Sequence, residues 1–130
     1  MLGSRDVIAF VGTRDPARAR AFYEGALGLR LVADEPSALV FDAGGRSLRV
    51  SKVREVARAE YTVLGWNVPD IRAAMTGLKE KGVAFERFSF FPQDDAGVWT
   101  APDGTKVAWF RDPDGNLLSL TEFPRRPGKP

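Results

Sequence analysis

Apolar and polar residues alternate along most of the chain, but two segments carry their apolar residues at helical spacing instead. The first begins at Asp15 and Pro16, where Asp is a favourable N-cap and Pro suits the first helical position. It ends at Gly28, the residue type that most easily adopts the left-handed conformation after a helix. The second segment begins at Asp70 and ends at Gly82. This spacing predicts two helices.

Strands are predicted where apolar and β-branched residues alternate with polar ones between turn-forming residues. In the first half they cover Asp6–Thr13, Leu29–Ala33, Ala38–Asp42 and Ser47–Lys52. In the second half they cover Tyr61–Val68, Val83–Phe88, Gly97–Ala101, Thr105–Arg111 and Leu117–Glu122. The element order repeats with little sequence identity, which indicates a duplicated module. We therefore predict an α+β protein of two βαβββ modules, whose curved, mostly antiparallel sheets form a cup.

The chain of 130 residues fits one compact domain. We expect this single domain, 1–130, to comprise a first module at 6–53, a linker at 54–60, a second module at 61–123 and a C-terminal tail at 124–130. Within it, Pro92–Ala96 is expected to be a mobile loop at the rim, with a solvated acidic pair at its centre.

Two hairpins share the turn sequence Pro-Asp-Gly, which occurs at 102–104 and at 113–115. Such turns fix the register of the strands they join. Because side chains alternate along a strand, one sheet face is predicted to carry Trp99, Val107, Trp109, Ser119 and Thr121. The intervening residues, among them Phe110, are expected to lie under a helix.

The composition removes several kinds of chemistry. The chain has no Cys and no His, so disulfides, thiolate sites and imidazole ligands are absent. The pI of about 9.2 arises because little titrates between the carboxylates and the lysines, and the net charge is only +2. Removing the three basic residues of the tail from the total of 19 leaves 16, against 17 acidic residues. No stripe of one sign remains, so nucleic acid is not an expected partner.

A membrane is not an expected partner either. No apolar run approaches the roughly 20 residues that span a bilayer. The N-terminus lacks the apolar core and cleavage site of a signal peptide. Together with the absence of Cys, this favours a cytoplasmic location.

Three segments carry a resemblance to a known family: RDPARARAFYEGALGLRL at 14–31, NVPDI at 67–71 and WFRDPDGNLLSL at 109–120. Through them the chain resembles the vicinal oxygen chelate (VOC) superfamily of glyoxalases, bleomycin resistance proteins and extradiol dioxygenases. The resemblance implies paired βαβββ modules that close a cup, often completed in a homodimer. It also implies a metal ion held in that cup.

This chain departs from the family at the positions of the metal ligands. Ile8 and Val63 stand where the resemblance implies His, and Ser119 stands where it implies Glu. The remaining position falls at Arg49, or at Ser51 if the register slips by one pair. Divalent ions need imidazole, carboxylate or thiolate donors, and none of these residues provides one. We therefore expect no metal and no cofactor.

The leading hypothesis is a metal-free protein that binds and sequesters a small, flat molecule, with Arg49 available for an anionic group. Its expected binding residues are Ile8, Phe10, Arg49, Ser51, Val63, Trp99, Trp109 and Ser119. For Arg49 a solvated surface position is an equal alternative, and for the two Trp residues the alternative is core packing. The expected partners are a small molecule and a second copy of the chain.

Two rival hypotheses stay open. One is an enzyme of the family, such as a lyase, an isomerase or a dioxygenase-like protein, with a non-standard or absent metal site. The other is a structural or regulatory dimer with a filled cup. No catalytic residue is identified, since Ser119 has no His to activate it and Tyr23 suits helix packing better.

Overall fold

The computed structural model describes residues 1–125. The strands are β1 (Ile8–Thr13), β2 (Arg30–Asp34), β3 (Ala38–Ala43), β4 (Arg46–Lys52), β5 (Leu64–Asn67), β6 (Trp99–Thr100), β7 (Lys106–Arg111) and β8 (Leu117–Glu122). The helices are α1 (Pro16–Arg20), which continues as a π-helix over Ala21–Ala26, α2 (Ile71–Glu80) and a short 3-10 helix at Leu2–Ser4. Within residues 1–125, none of these helices has the length and apolarity needed to cross a membrane.

The strands form two four-stranded sheets with the same order, β1-β4-β3-β2 and β5-β8-β7-β6. In each sheet the strand that comes first in the sequence pairs in parallel with the one that comes last, so β1 pairs with β4 and β5 with β8. The other pairs are antiparallel. The predicted α+β architecture of two modules is therefore confirmed. The predicted hairpin registers, Trp99 opposite Val107 and Trp109 opposite Ser119, are also present.

Both helices begin and end where the sequence predicts. The carboxylates of Asp15 and Asp70 each accept a hydrogen bond from the backbone N–H three residues on, at 3.2 and 3.1 Å. Gly28 and Gly82 follow the helices with φ angles of 73° and 90°, in the region that side chains rarely adopt. Local sequence thus fixes where each helix lies between its strands.

Most predicted strands differ from the structure by at most one or two residues at an end, and two differ by more. The strand predicted at Tyr61–Val68 begins only at Leu64. The strand predicted at Val83–Phe88 is reduced to a single bridge between Phe85 and Phe110. Beyond this bridge the chain leaves the sheet edge, because the following aromatic side chains bury their rings against the sheet face. Burial of apolar rings outweighs the few further ladder hydrogen bonds that a strand would add.

One continuous core joins the two sheets through their inner faces. The fully buried residues include Phe41, Leu48 and Val50 of the first sheet and Phe110 and Leu118 of the second. The π-helical segment after α1 lies between them. Its Tyr23 ring contacts Phe41 at 5.8 Å, and its Phe22 ring contacts Phe110 at 6.3 Å. The helices therefore cover the inner face of each sheet and leave the outer face free.

A buried hydrogen-bond network ties the second hairpin to the first module. The hydroxyl of Tyr23 donates to Asp112 Oδ2 at 2.6 Å, and Asn116 Nδ2 donates to the same oxygen at 2.7 Å. Asn116 Nδ2 also donates to the carbonyl of Gly12 at 2.9 Å. Burial, and then the negative charge of Asp112, raises the pKa of Tyr23 far above its ordinary value. Tyr23 is thus a permanent donor, used for structure.

Replacing Tyr23 by Phe should lower the free energy of unfolding by about 1–3 kcal/mol, because Asp112 loses a buried donor. Urea denaturation measures this loss. The matched control is Tyr61→Phe, since Tyr61 is exposed; it should change stability by less than about 0.5 kcal/mol. Equal effects of the two substitutions would contradict the network's role.

The difference in stability between the wild-type protein and Tyr23→Phe should also depend on pH. Above about pH 10 the unfolded wild-type chain ionises this Tyr, whereas the folded protein keeps it neutral because its pKa is raised. The wild-type protein therefore loses stability there that Tyr23→Phe cannot lose. The difference in the free energy of unfolding between the wild-type protein and Tyr23→Phe should therefore shrink as the pH rises above about 10. A difference that stays constant with pH would refute the prediction.

Candidate functional site

The outer face of the first sheet brings together half of the predicted binding residues. Ile8 and Phe10 of β1 and Arg49 and Ser51 of β4 lie on this face, since the residues between them point into the core. Ile8 is 50% exposed and Phe10 is 57% exposed. Phe10 lies directly beside Arg49 in the parallel pairing. On β1 and β4 this face thus combines exposed apolar side chains with the guanidinium of Arg49.

The strand register shows which residue of β4 corresponds to Ser119 of the second module. Arg49 pairs with Phe10, and Ser119 pairs with Gly65. Phe10 and Gly65 are equivalent, since each lies five residues before the Asp that caps the following helix. Arg49 is therefore the counterpart of Ser119, and Ser51 lies one step further along the strand.

Arg49 is held by an acidic neighbour. Its Nη2 donates to Glu35 Oε1 at 2.8 Å, and its side chain is 28% exposed. Ion pairs as open to solvent as this one contribute on the order of 0–1 kcal/mol. Glu35 thus orients the guanidinium before any ligand binds. Because this ion pair contributes little to the folding stability, an anionic group can replace Glu35 with little loss of stability.

The outer face of the second sheet carries the other predicted residues. Val63 leads into β5 and is 39% exposed, whereas Ser119 and Trp109 are buried. Ser119 fits there because it faces Gly65, where an added Cβ would lie 2.7 Å from Ser119 Oγ. The indole Nε1 of Trp109 donates to Thr62 Oγ1 at 3.1 Å. Trp99 lies on the same face, with its ring centroid 6.4 Å from that of Trp109.

The aromatic loop, which we define as residues 88–91, covers this second face. The Phe91 ring stacks on Trp109 with centroids 5.0 Å apart and planes 11° apart, and it contacts Trp99 at 5.1 Å. Phe88 meets Trp109 edge-on at 5.5 Å. The sequence interpretation missed this cover, although the run FSFF at 88–91 is a visible signal of it. In this structure the rings of Phe88 and Phe91 therefore cover the indole of Trp109.

The side chain of Gln93 joins the backbone on the two sides of the aromatic loop, at residues 86, 88 and 97, which we call the neck of the loop. Its Nε2 donates to the carbonyls of Glu86 at 3.0 Å and Gly97 at 2.7 Å. Its Oε1 accepts from the backbone N–H of Phe88 at 2.7 Å. One side chain thus fixes both ends of the loop.

Both residues of the predicted acidic pair are exposed, and Asp94 in addition organises the next turn. Its Oδ1 accepts from the backbone N–H groups of Ala96, Gly97 and Val98 at 3.0–3.1 Å. Its Oδ2 accepts from Arg72 at 2.6 Å. The hydrogen bond from Arg72 is the main cause that lowers the pKa of Asp94 to about 2, and the backbone bond from Val98 adds to it. This carboxylate stabilises the loop and is not free for a ligand.

The positions that correspond to metal ligands do not fit a divalent ion. Ile8 and Val63 have no lone pair, and Arg49 places a cation at the third position. Glu35, the carboxylate beside that cation, is already bound to it. Within residues 1–125 there is no cluster of three acidic, His or Cys side chains that could hold a metal.

Three surface cavities among the described residues lie away from both outer faces. One, of about 320 Å³, lies between α2 and the second sheet and is lined by Trp66, Gly77 and Leu78 among others. The other two, of about 280 and 330 Å³, lie beside Phe22 and beside Arg14. None is lined by any of the eight predicted residues. A single copy presents those residues as two separate faces.

Comparisons with known proteins agree with this architecture. The family model for the Glyoxalase/Bleomycin resistance protein/Dioxygenase superfamily matches residues 6–120. Lactoylglutathione lyase from Agrobacterium tumefaciens is similar at 20% identity over 92% of this chain and 93% of that one, with a TM-score of 0.71. No curated protein gives a significant match to the sequence.

Two further solved structures are similar. An antibiotic-binding protein from Streptomyces sp. CB03234 has 24% identity over 95% of this chain and 99% of that one, with a TM-score of 0.70. A bleomycin resistance determinant encoded on the transposon Tn5 has 20% identity over 94% of this chain and 100% of that one, with a TM-score of 0.72. At these identities the likeness shows the fold alone.

Replacing Asp94 by Asn should raise the amide hydrogen-exchange rates of residues 96–98 by about tenfold, because hydrogen bonds to a charged acceptor are roughly twice as strong. In the wild-type protein the protection should persist above about pH 4 and disappear as the pH falls towards 2, since the pKa of Asp94 is lowered. Exchange measured by NMR tests both. The neighbouring Asp95→Asn is the control, and equal effects would refute the prediction.

Proposed function

The chain belongs to the glyoxalase/bleomycin resistance protein/dioxygenase superfamily, and we propose that it is a member that binds a small, flat, anionic molecule without a metal ion. The observation that carries the proposal is the donor set. Ile8, Val63, Ser119 and Arg49 stand at the four positions where the resemblance implies metal ligands, and none of them offers an imidazole or a carboxylate. The positive charge of Arg49 at one of these positions favours an anion over a cation.

The first outer face has the properties that such a ligand needs. Ile8 and Phe10 offer exposed apolar surface, whose burial is worth about 25 cal/mol per Å². Arg49 stands beside Phe10, and its planar guanidinium matches a carboxylate in a bidentate arrangement. An aromatic carboxylate can therefore place its ring on the apolar side chains and its charge on Arg49.

A second copy of the chain completes the site in this proposal. The two outer faces lie on different sheets, and β1 and β5 each form an edge of their sheet. Exposed apolar residues on such a face and edge are typical of an interaction surface. A homodimer would set the first face of one copy against the second face of the other, and the ligand would lie between them.

The fold is compatible with a binding role. The similar structures include an antibiotic-binding protein and a bleomycin resistance determinant, so this architecture occurs in proteins named for such roles. The Cys-free composition suits a reducing cytoplasm, which is the location we propose.

Replacing Arg49 by Ala should weaken the binding of naphthoate, a flat aromatic carboxylate, by at least about tenfold. The expected loss follows from a hydrogen bond to a charged group, about 1.5–3 kcal/mol. Arg46→Ala is the matched control, since Arg46 lies on the same strand but is exposed and pairs with Asp6 at 3.9 Å. It should change the affinity by less than about twofold.

Titration followed by Trp fluorescence and by calorimetry measures these affinities. A wider panel of flat anions should include naphthoate homologues and neutral analogues of the same shape. If no member binds, or if Arg49→Ala and Arg46→Ala behave alike, the proposed function is wrong.

A further inference from the structure

The aromatic loop places a phenyl ring where a planar ligand would gain most. Phe91 lies nearly parallel to Trp109, and it touches Trp99 as well. Both indoles belong to the outer face of the second sheet, so this ring occupies the part of the face richest in aromatic surface. Offset stacking at such distances is the preferred geometry of aromatic pairs.

The loop itself is poorly embedded in the rest of the protein. Phe90, at its tip, is 72% exposed, and its ring contacts only those of Phe88 and Phe91 among the described residues. Exposed aromatic rings on a surface loop mark a place where something else binds. The loop thus holds Phe91 on the indole mainly through ring contacts.

The anchor of the loop is separate from its aromatic tip. Gln93 bonds the backbone at 86, 88 and 97, so it fixes the neck through backbone groups and not through the aromatic rings of 88–91. Residues 89–91 can therefore move while the neck stays closed. Loop motions of this kind occur in the nanosecond to microsecond range.

We propose that Phe91 is an internal stand-in for the ligand, and that the aromatic loop is a lid that moves aside when a planar aromatic molecule stacks on Trp109. The inference rests on the proposed function and adds the position of the ligand's ring. It also names the ligand class more closely, as one with an aromatic ring large enough to replace a phenyl group. Phe91 then sets specificity, because only ligands that stack better than phenyl displace it.

The displaced contact is weak enough for this exchange. An aromatic pair contributes about 0.5–1.5 kcal/mol beyond the area it buries. A ligand that must displace Phe91 therefore binds about two- to tenfold more weakly than one that finds the indole free.

Replacing Phe91 by Ala should tighten naphthoate binding by about two- to tenfold, because the competing ring is gone. Phe90→Ala is the matched control and should leave the affinity within about twofold, since among the described residues the Phe90 ring contacts Phe88 and Phe91 and neither indole of this face. Phe91→Leu keeps an apolar cover that cannot stack, and it should fall between the wild-type protein and Phe91→Ala. Calorimetry measures the affinities.

A second measurement uses the wild-type protein and does not depend on a substitution. Naphthoate binding should raise amide hydrogen exchange at residues 89–91 and lower it in β7. Weaker binding by Phe91→Ala, or increased protection of 89–91 on binding, would overturn the lid while leaving the proposed function intact. Binding by none of the proteins would overturn both.

Discussion

Each sheet of this protein has two faces, and the helices cover only one of them. The inner faces share a core in which Tyr23 contacts the first sheet and Phe22 contacts the second. The Tyr23–Asp112 hydrogen bond fixes this arrangement from within. The outer faces are then left to solvent, to the protein's own aromatic loop, to a second copy or to a ligand. The side chains on those two outer faces decide what the protein can bind.

The side chains on these outer faces have properties opposite to those of metal ligands. A divalent ion attracts oxygen and nitrogen lone pairs, whereas Arg49 offers hydrogen-bond donors and a positive charge. The proposed function follows from this difference, because hydrogen-bond donors and a positive charge favour an anionic ligand. The strand pairing supports this interpretation, because it makes Arg49 the counterpart of Ser119 without any change in backbone register.

Local signals made much of the fold predictable. The capping Asp15 and Asp70 and the Pro-Asp-Gly turns act within a few residues, so helix starts and hairpin registers followed from sequence alone. The strand expected at Val83–Phe88 did not form, because its alternation is equally suited to rings that leave the edge and pack on the face. The cover of Trp109 by Phe91 and the pairing of Arg49 with Glu35 depend on where distant segments meet. No periodicity within one segment encodes such contacts.

The metal content of the purified protein is the sharpest test of whether the site works without an ion. The chain should be produced in medium supplemented with nickel, zinc, manganese and iron, dialysed without chelator, and analysed by mass spectrometry for elements. The account predicts far less than one ion per chain, together with naphthoate binding that a chelator does not change. One tightly held transition-metal ion per chain, lost together with ligand binding when a chelator is added, would contradict it.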